Sequence, residues 1–137
     1  MYGIARYSLA VTVAFGLVSF VGGRAFGGVP KGQDLYTAYC SSCHQASGEG
    51  LPGAFPPLKG SGVVTKDDAT KHIRVVLDGL QGGKAGGVVY ASAMPAFAAA
   101  LKDAEIADII DYERSSWGNH GKAVTAAQVA TERARLK

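Results

Sequence analysis

The feature that most constrains this 137-residue chain is a pair of cysteines three positions apart with a histidine directly after them, Cys40-Ser41-Ser42-Cys43-His44. The chain contains no further cysteine, so its thiols form at most one disulfide and cannot build a four-cysteine zinc site. A thioredoxin-like dithiol has the same spacing but belongs to a βαβ context, and no sustained strand pattern surrounds this motif. A structural disulfide with a chance histidine beside it fits the motif only loosely.

The same Cys-x-x-Cys-His spacing is the attachment pattern of c-type haem. Two thiols at this distance can each add to one vinyl group on neighbouring pyrrole rings. The histidine that follows then faces the iron from the same side and can act as the proximal axial ligand. We therefore predict one covalent haem c, bound through Cys40 and Cys43, with His44 on the iron.

A second axial ligand is predicted at Met94, which lies 50 residues beyond His44, after a glycine-rich loop and directly before Pro95. A thioether is a soft, neutral ligand, and His/Met ligation raises the reduction potential of the iron. The alternative is a core methionine that fills a gap in the packing. We expect the two remaining histidines, His72 and His120, to be solvated at the surface.

The formal net charge of +3 is concentrated at the two ends of the chain. Residues 26–121 hold eight Lys or Arg side chains against ten Asp or Glu, a formal balance of −2, whereas residues 122–137 form a basic tail. A nucleic-acid-binding surface needs a basic patch that can follow the phosphates. The body of the chain lacks one, so we expect no nucleic-acid partner.

The first 25 residues have the order of a secretory signal peptide. A short basic start is followed by 17 uncharged, mainly apolar residues at positions 7–23, and small residues precede a cleavage point after Ala25. The alternatives are an N-terminal membrane anchor through residues 7–23 and a buried helix of the fold. As a helix, 17 residues span about 25 Å, less than the ~30 Å hydrocarbon core. With a signal or an anchor, the protein is exported to the bacterial periplasm or the outer face of the cytoplasmic membrane.

The rest of the sequence predicts an all-α fold with three to four short helices. Apolar periodicity and end signals indicate helices at residues 32–43, 66–78, 95–101 and 103–117. Long loops rich in glycine and proline separate them, and such loops are unusual in a small domain unless they wrap something. We predict that they wrap one covalent haem in a domain of residues 26–121, and we assign no role to the tail.

Several of these segments together resemble the class I (mono-haem) cytochrome c family over roughly residues 32–119. The resemblance rests on the haem motif, on Phe55-Pro56-Pro57-Leu58-Lys59-Gly60, on Met94-Pro95 and on Trp117-Gly118-Asn119. It implies the cytochrome c fold, in which the first and last helices cross, with Gly32 and Tyr36 against Tyr112. It also implies that the Pro56 carbonyl accepts from Nδ1–H of His44, and that Leu58, Tyr90 and Phe97 line the haem pocket.

For the function, the resemblance implies a carrier of single electrons between a redox protein donor and an acceptor, and not an enzyme. A second hypothesis is a dedicated haem c subunit of a membrane-associated dehydrogenase or terminal reductase complex. A third is an open-site haem enzyme or gas sensor, which requires Met94 to leave the iron. Full axial ligation favours electron transfer over the third hypothesis.

Overall fold

The computed structural model describes residues 31–136, so the predicted leader at residues 1–25 lies outside the described part. None of the helices within 31–136 is long and apolar enough to cross a membrane. The elements, in chain order, are α1 (Gly32–Tyr39), α2 (Ser41–His44), α3 (Gly62–Thr65), α4 (Thr70–Asp78), β1 (Leu80–Ala85), β2 (Val88–Met94), α5 (Asp103–Ser115) and α6 (Ala126–Arg133).

Helices α1 and α5 cross at a point where a glycine allows the two backbones to touch. A Cβ atom at Gly32 would stand 2.0 Å from the carbonyl oxygen of Asp108 and 3.0 Å from Cβ of Tyr112. One turn further along α1, the ring of Tyr36 lies 5.3 Å from that of Tyr112, centroid to centroid. The crossing implied by the family resemblance is thus confirmed.

Replacing Gly32 with alanine is therefore expected to destabilise the fold by about 1–3 kcal/mol or more, because α1 must move away from α5. Denaturant unfolding of the haem-loaded protein measures the loss. Gly62→Ala is the matched control, since Gly62 also opens a helix, but a Cβ added there would meet no atom of residues 31–136 within 4 Å. Equal losses in the two variants contradict the role given to the crossing.

A β-hairpin stands where the sequence predicted a loop, so the all-α expectation holds only in part. Strand β1 pairs antiparallel with β2, from Leu80 opposite Met94 to Ala85 opposite Val88, with an irregular register between Gln81 and Gly83. Two glycines with positive φ make the turn, as a type I′ hairpin requires. Strand β1 contains two glycines, and neither strand alternates apolar and polar residues, which is why periodicity did not reveal them.

Three predicted helices also differ from the structure. The helix predicted at residues 32–43 is divided at Cys40 into α1 and α2. Residues 95–101 form turns, and the backbone N–H groups of Phe97 and Ala98 donate to carbonyls at the end of α4 (3.1 and 3.2 Å). Helix α4 begins at Thr70 rather than near residue 66, since the backbone at Lys66 is extended; the Asp68 carboxylate accepts from the N–H of Thr70, the first residue of the helix (2.9 Å).

The basic tail packs onto the domain as helix α6. Val124 and Val129 are buried against the common core, and Thr125 accepts a hydrogen bond at the start of the helix. The guanidinium of Arg133 donates to the carbonyls of Leu101 (2.9 Å) and Ala98 and pairs with a carboxylate at the start of α5. The basic tail, to which the sequence assigned no role, is therefore fixed to the loop that precedes α5.

Candidate haem site

The cysteine motif forms a single helical turn that brings its reactive side chains to one side. The backbone N–H of His44 donates to the carbonyl of Cys40 (3.0 Å), and the turn ends at Gln45, whose φ is +62°. Residues three and four apart share a helix face. Cys40, Cys43 and His44 have that spacing, so both thiols and the imidazole face the same region.

The buried imidazole of His44 is held by a backbone carbonyl. Its Nδ1 lies 2.9 Å from the oxygen of Pro56, which can only accept a hydrogen bond, so Nδ1 carries the proton. Nε2 of the neutral ring then keeps its lone pair for a metal, as is common in histidine ligands with such a partner. Pro56 lies where the family resemblance requires it.

The loop that presents Pro56 is tied to the chain segment after α5. Asn119 accepts from the N–H of Gly60 (2.8 Å) and donates to the carbonyl of Leu58 (3.2 Å). The Trp117 indole N–H donates to the carbonyl of Ala46 (3.0 Å), so this tryptophan anchors the loop. A Cβ at Gly48 would stand 2.4 Å from the indole ring, and no side chain fits there.

Met94 is positioned by the hairpin that the sequence analysis did not predict. It ends β2 opposite Leu80, is partly buried and packs against the core. A Cβ at Gly79 would stand 2.4 Å from the Met94 carbonyl, so the end of α4 passes directly beside the ligand candidate. The side chain of Met94 thus lies on the wall of the same cavity as the cysteine motif.

All eight predicted site residues line one cavity of about 330 Å³ with mainly apolar walls. Two thiols, an imidazole with an available Nε2 and a thioether on one apolar cavity are a donor set that fits a covalent haem. The eight residues are Cys40, Cys43, His44, Pro56, Leu58, Tyr90, Met94 and Phe97.

The electrostatic surroundings of Cys40 also suit an uncharged sulfur. Burial raises the pKa of the Cys40 thiol to about 12, and the nearby Glu113 carboxylate adds to the effect. A thiolate is therefore strongly disfavoured at this position, whereas a neutral thioether is not.

Two residues on the cavity wall were missed by the sequence analysis. His72, expected to be solvated, is 3% exposed, and Glu113, an acidic residue near the end of α5, is also 3% exposed. A signal existed, since each occupies a position of a buried helical stripe: 69, 72, 73, 76 on α4 and 106, 109, 110, 113 on α5. His120 is exposed as predicted.

Comparison with known proteins identifies the family. The cytochrome c family model matches residues 29–117. The chain is 39% identical over 113 residues to cytochrome c-552 of Thermus thermophilus, covering 76% of this chain and 85% of that protein. It is 36% identical over 99 residues to the cytochrome c subunit of a quinone alcohol dehydrogenase from Gluconacetobacter polyoxogenes, covering 72% of this chain and 21% of that subunit.

A third relative is the cytochrome c subunit of gluconate 2-dehydrogenase from Pantoea cypripedii, 38% identical over 107 residues, with 74% of this chain and 24% of that subunit covered. The chain thus spans only about a fifth to a quarter of the length of these dehydrogenase subunits. The family match covers most of the chain and includes the whole cysteine motif, so this protein belongs to the cytochrome c family, whose members transfer electrons through covalently bound haem c.

Proposed function

We propose that this protein carries single electrons through one haem c attached at Cys40 and Cys43, with Nε2 of His44 and the thioether of Met94 as axial ligands. The observation that carries the proposal is the convergence of these residues on one apolar cavity, with Nδ1 of His44 bound to Pro56. When bound, the haem supplies a one-electron couple at its iron.

The protein's own residues keep this site closed to other chemistry. With haem bound, His44 and Met94 would both ligate the iron and would leave no open coordination position for a substrate or a gas. The Pro56 carbonyl fixes the orientation of His44, and Leu58, Tyr90 and Phe97 contribute apolar wall that would shield a bound haem from water. A dry site with fixed ligands needs little rearrangement when its charge changes, which suits electron transfer.

The proposed partners are a redox protein donor and acceptor that dock transiently at the cavity rim. Tyr39 and Leu80 line the cavity and are exposed, so the rim offers apolar contacts close to the cysteine motif. A small contact of this kind is typical of short-lived redox complexes.

A second candidate is a dedicated haem c subunit of a larger oxidoreductase. It is favoured by the names of two relatives, which are cytochrome c subunits of dehydrogenases. The c-552 relative, matched over most of its length, favours the independent carrier. Purification from the host distinguishes the two, because a subunit stays with its enzyme and a carrier is recovered alone.

We further propose export to the periplasm or the outer membrane face, with residues 1–25 as a cleaved signal. Intact-mass spectrometry of the protein from its host tests this together with the cofactor. The expected mass is that of residues 26–137 plus one haem. A mass that retains residues 1–25 supports the anchor through residues 7–23, and a mass without haem contradicts the proposed function.

Redox titration of the purified protein tests the function directly. We expect a reversible one-electron couple, a low-spin ferric spectrum and the weak far-red band of a methionine-ligated ferric haem. A high-spin ferric spectrum contradicts the proposal and favours the open-site hypothesis.

A further inference from the structure

The cavity wall holds a buried acid–base pair that the electron-transfer function does not use. His72 on α4 and Glu113 on α5 face each other across the core, with 2.7 Å between Nε2 and Oε2, and both side chains are 4% exposed. The Nδ1 atom of His72 is buried and has no hydrogen-bond partner among residues 31–136. Buried polar groups are normally paired, so an orphaned ring nitrogen at a cofactor cavity requires an explanation.

The pair lies within electrostatic reach of the haem attachment point. Both residues line the same cavity as Cys40, Cys43 and His44. Burial is the main cause of the raised pKa values of the Cys40 thiol and the Tyr36 phenol, and the Glu113 carboxylate is the second cause of both. A charge change at the haem is therefore felt at Glu113, and the reverse, because the interaction between two sites is reciprocal.

No other charged side chain of residues 31–136 forms an ion pair or a hydrogen bond with the side chains of His72 and Glu113. Helix α3 has no titratable side chain, and on α6 Glu132 is paired with Arg74 and Arg135. Arg114, next to Glu113, donates to three backbone carbonyls instead. The titratable groups that face the pair or share its cavity are Tyr36, Tyr39, Cys40, Cys43, His44, Lys71, Lys84 and Tyr90.

The hydrogen bond assigns the proton position. With Glu113 ionised, Nε2–H of His72 donates to Oε2, and Nδ1 holds a lone pair without a partner among the described residues. The pair then has a net charge of −1 in an apolar wall, which burial opposes. A proton on Nδ1 gives an imidazolium–carboxylate pair of zero net charge, which burial opposes less.

We propose that the His72–Glu113 pair takes up one proton from solvent at Nδ1 when the protein accepts one electron, and releases it when the electron leaves. The inference rests on the electron-transfer function that we propose. One electron arrives from the donor, one N–H bond forms with a proton from water, and the net charge of the site is unchanged.

The sign of the coupling follows from this balance. The oxidised protein has one more positive charge near the pair and favours its −1 form, whereas the reduced protein favours the protonated, neutral form. The midpoint potential therefore falls as the pH rises from the pKa of the pair in the oxidised protein to its pKa in the reduced protein. One proton per electron gives at most about 59 mV for each tenfold fall in proton concentration.

The test compares midpoint potentials of three haem-loaded proteins from about pH 4 to about pH 9, which spans the ordinary pKa values of glutamate and histidine. They are the wild type, the double variant His72→Leu/Glu113→Leu and the control His120→Gln. The double variant removes both polar groups together, because removing one leaves its partner buried and unpaired. His120→Gln also removes a histidine, but one that is exposed.

We expect the midpoint potentials of the wild type and of His120→Gln to fall over the same range of pH. The width of that range should correspond to a tenfold or greater difference in the proton affinity of the His72–Glu113 pair between the two redox states. The double variant should be flat there while keeping the far-red methionine band. The same slope in the double variant overturns the inference. So does a wild type that is flat but still shows a reversible one-electron couple, and that result leaves the proposed function intact. Loss of the couple itself overturns both.

A second test uses only the wild type and so does not depend on whether a variant folds. The ¹⁵N chemical shift of His72 Nδ1 in the reduced protein, followed against pH, reports directly whether a proton binds at that atom. A resonance that titrates over the range of pH in which the potential falls supports the inference, and one that does not titrate overturns it.

Discussion

The Met94→Ala protein is expected to lose the far-red band of the ferric haem and to show a midpoint potential lower by on the order of 100 mV or more. The thioether favours the reduced iron, and its removal leaves the sixth position to water or another oxygen or nitrogen donor. Axial ligands move haem potentials over a range of roughly 0.8 V, so a change of this size is within their reach. Spectra and redox titration of the loaded protein measure both effects.

The control for Met94→Ala is Phe97→Leu, which changes another partly buried side chain on the same cavity wall without removing a ligand. We expect this variant to keep the far-red band, with a much smaller shift in potential. If Met94→Ala keeps its low-spin spectrum and its potential, Met94 is a core methionine and the assignment of the sixth ligand is wrong.

The three residues of the cysteine motif could be placed together from the sequence because their information is local. The cysteine motif is five contiguous residues, and a single helical turn is enough to bring Cys40, Cys43 and His44 to one side. The structure adds the contact that no spacing encodes, the bond from Nδ1 of His44 to the Pro56 carbonyl twelve residues away. That contact was available only through the family resemblance.

The hairpin and the acid–base pair were missed for different reasons. Strands β1 and β2 are held by pairing with each other, β1 contains two glycines, and neither strand alternates apolar and polar residues. His72 and Glu113 lie 41 residues apart, and each alone is a polar residue on an otherwise apolar stripe. Only the packing of α4 against α5 shows that these two side chains hydrogen-bond to each other.

Arg114 carries the largest expected effect on stability. Its guanidinium is fully buried and donates from Nη1 to the Val64 carbonyl (2.7 Å), from Nη2 to that of Lys66 (2.6 Å) and from Nε to that of Lys122 (2.6 Å). One side chain thus joins α5 to the end of α3 and to the start of the C-terminal segment. The planar fork of donors explains why arginine and not lysine serves here.

Arg114→Met is expected to destabilise the haem-loaded protein by about 3 kcal/mol or more. Three backbone carbonyls lose their charged donor and remain in place without a hydrogen-bond partner. A loss of this size corresponds to a melting temperature lower by on the order of 10–20 °C. Arg114→Lys should recover only part of the loss, since one ammonium cannot reach three carbonyls in a fixed fork. Denaturant unfolding measures the difference in the free energy of unfolding, provided that its dependence on denaturant concentration is the same in the variants.

Arg74→Met is the matched control, because Arg74 is half exposed and its partner Glu132 keeps a second ion pair with Arg135. Glu132 is buried but stays paired with Arg135 when Arg74 is replaced, so we expect a loss of only about 1 kcal/mol, as for a pair that is partly exposed. Similar losses for Arg74→Met and Arg114→Met contradict the structural role of Arg114. The far-red band should persist in both variants, because Arg114 acts on the joining of three chain segments and not on the iron ligands.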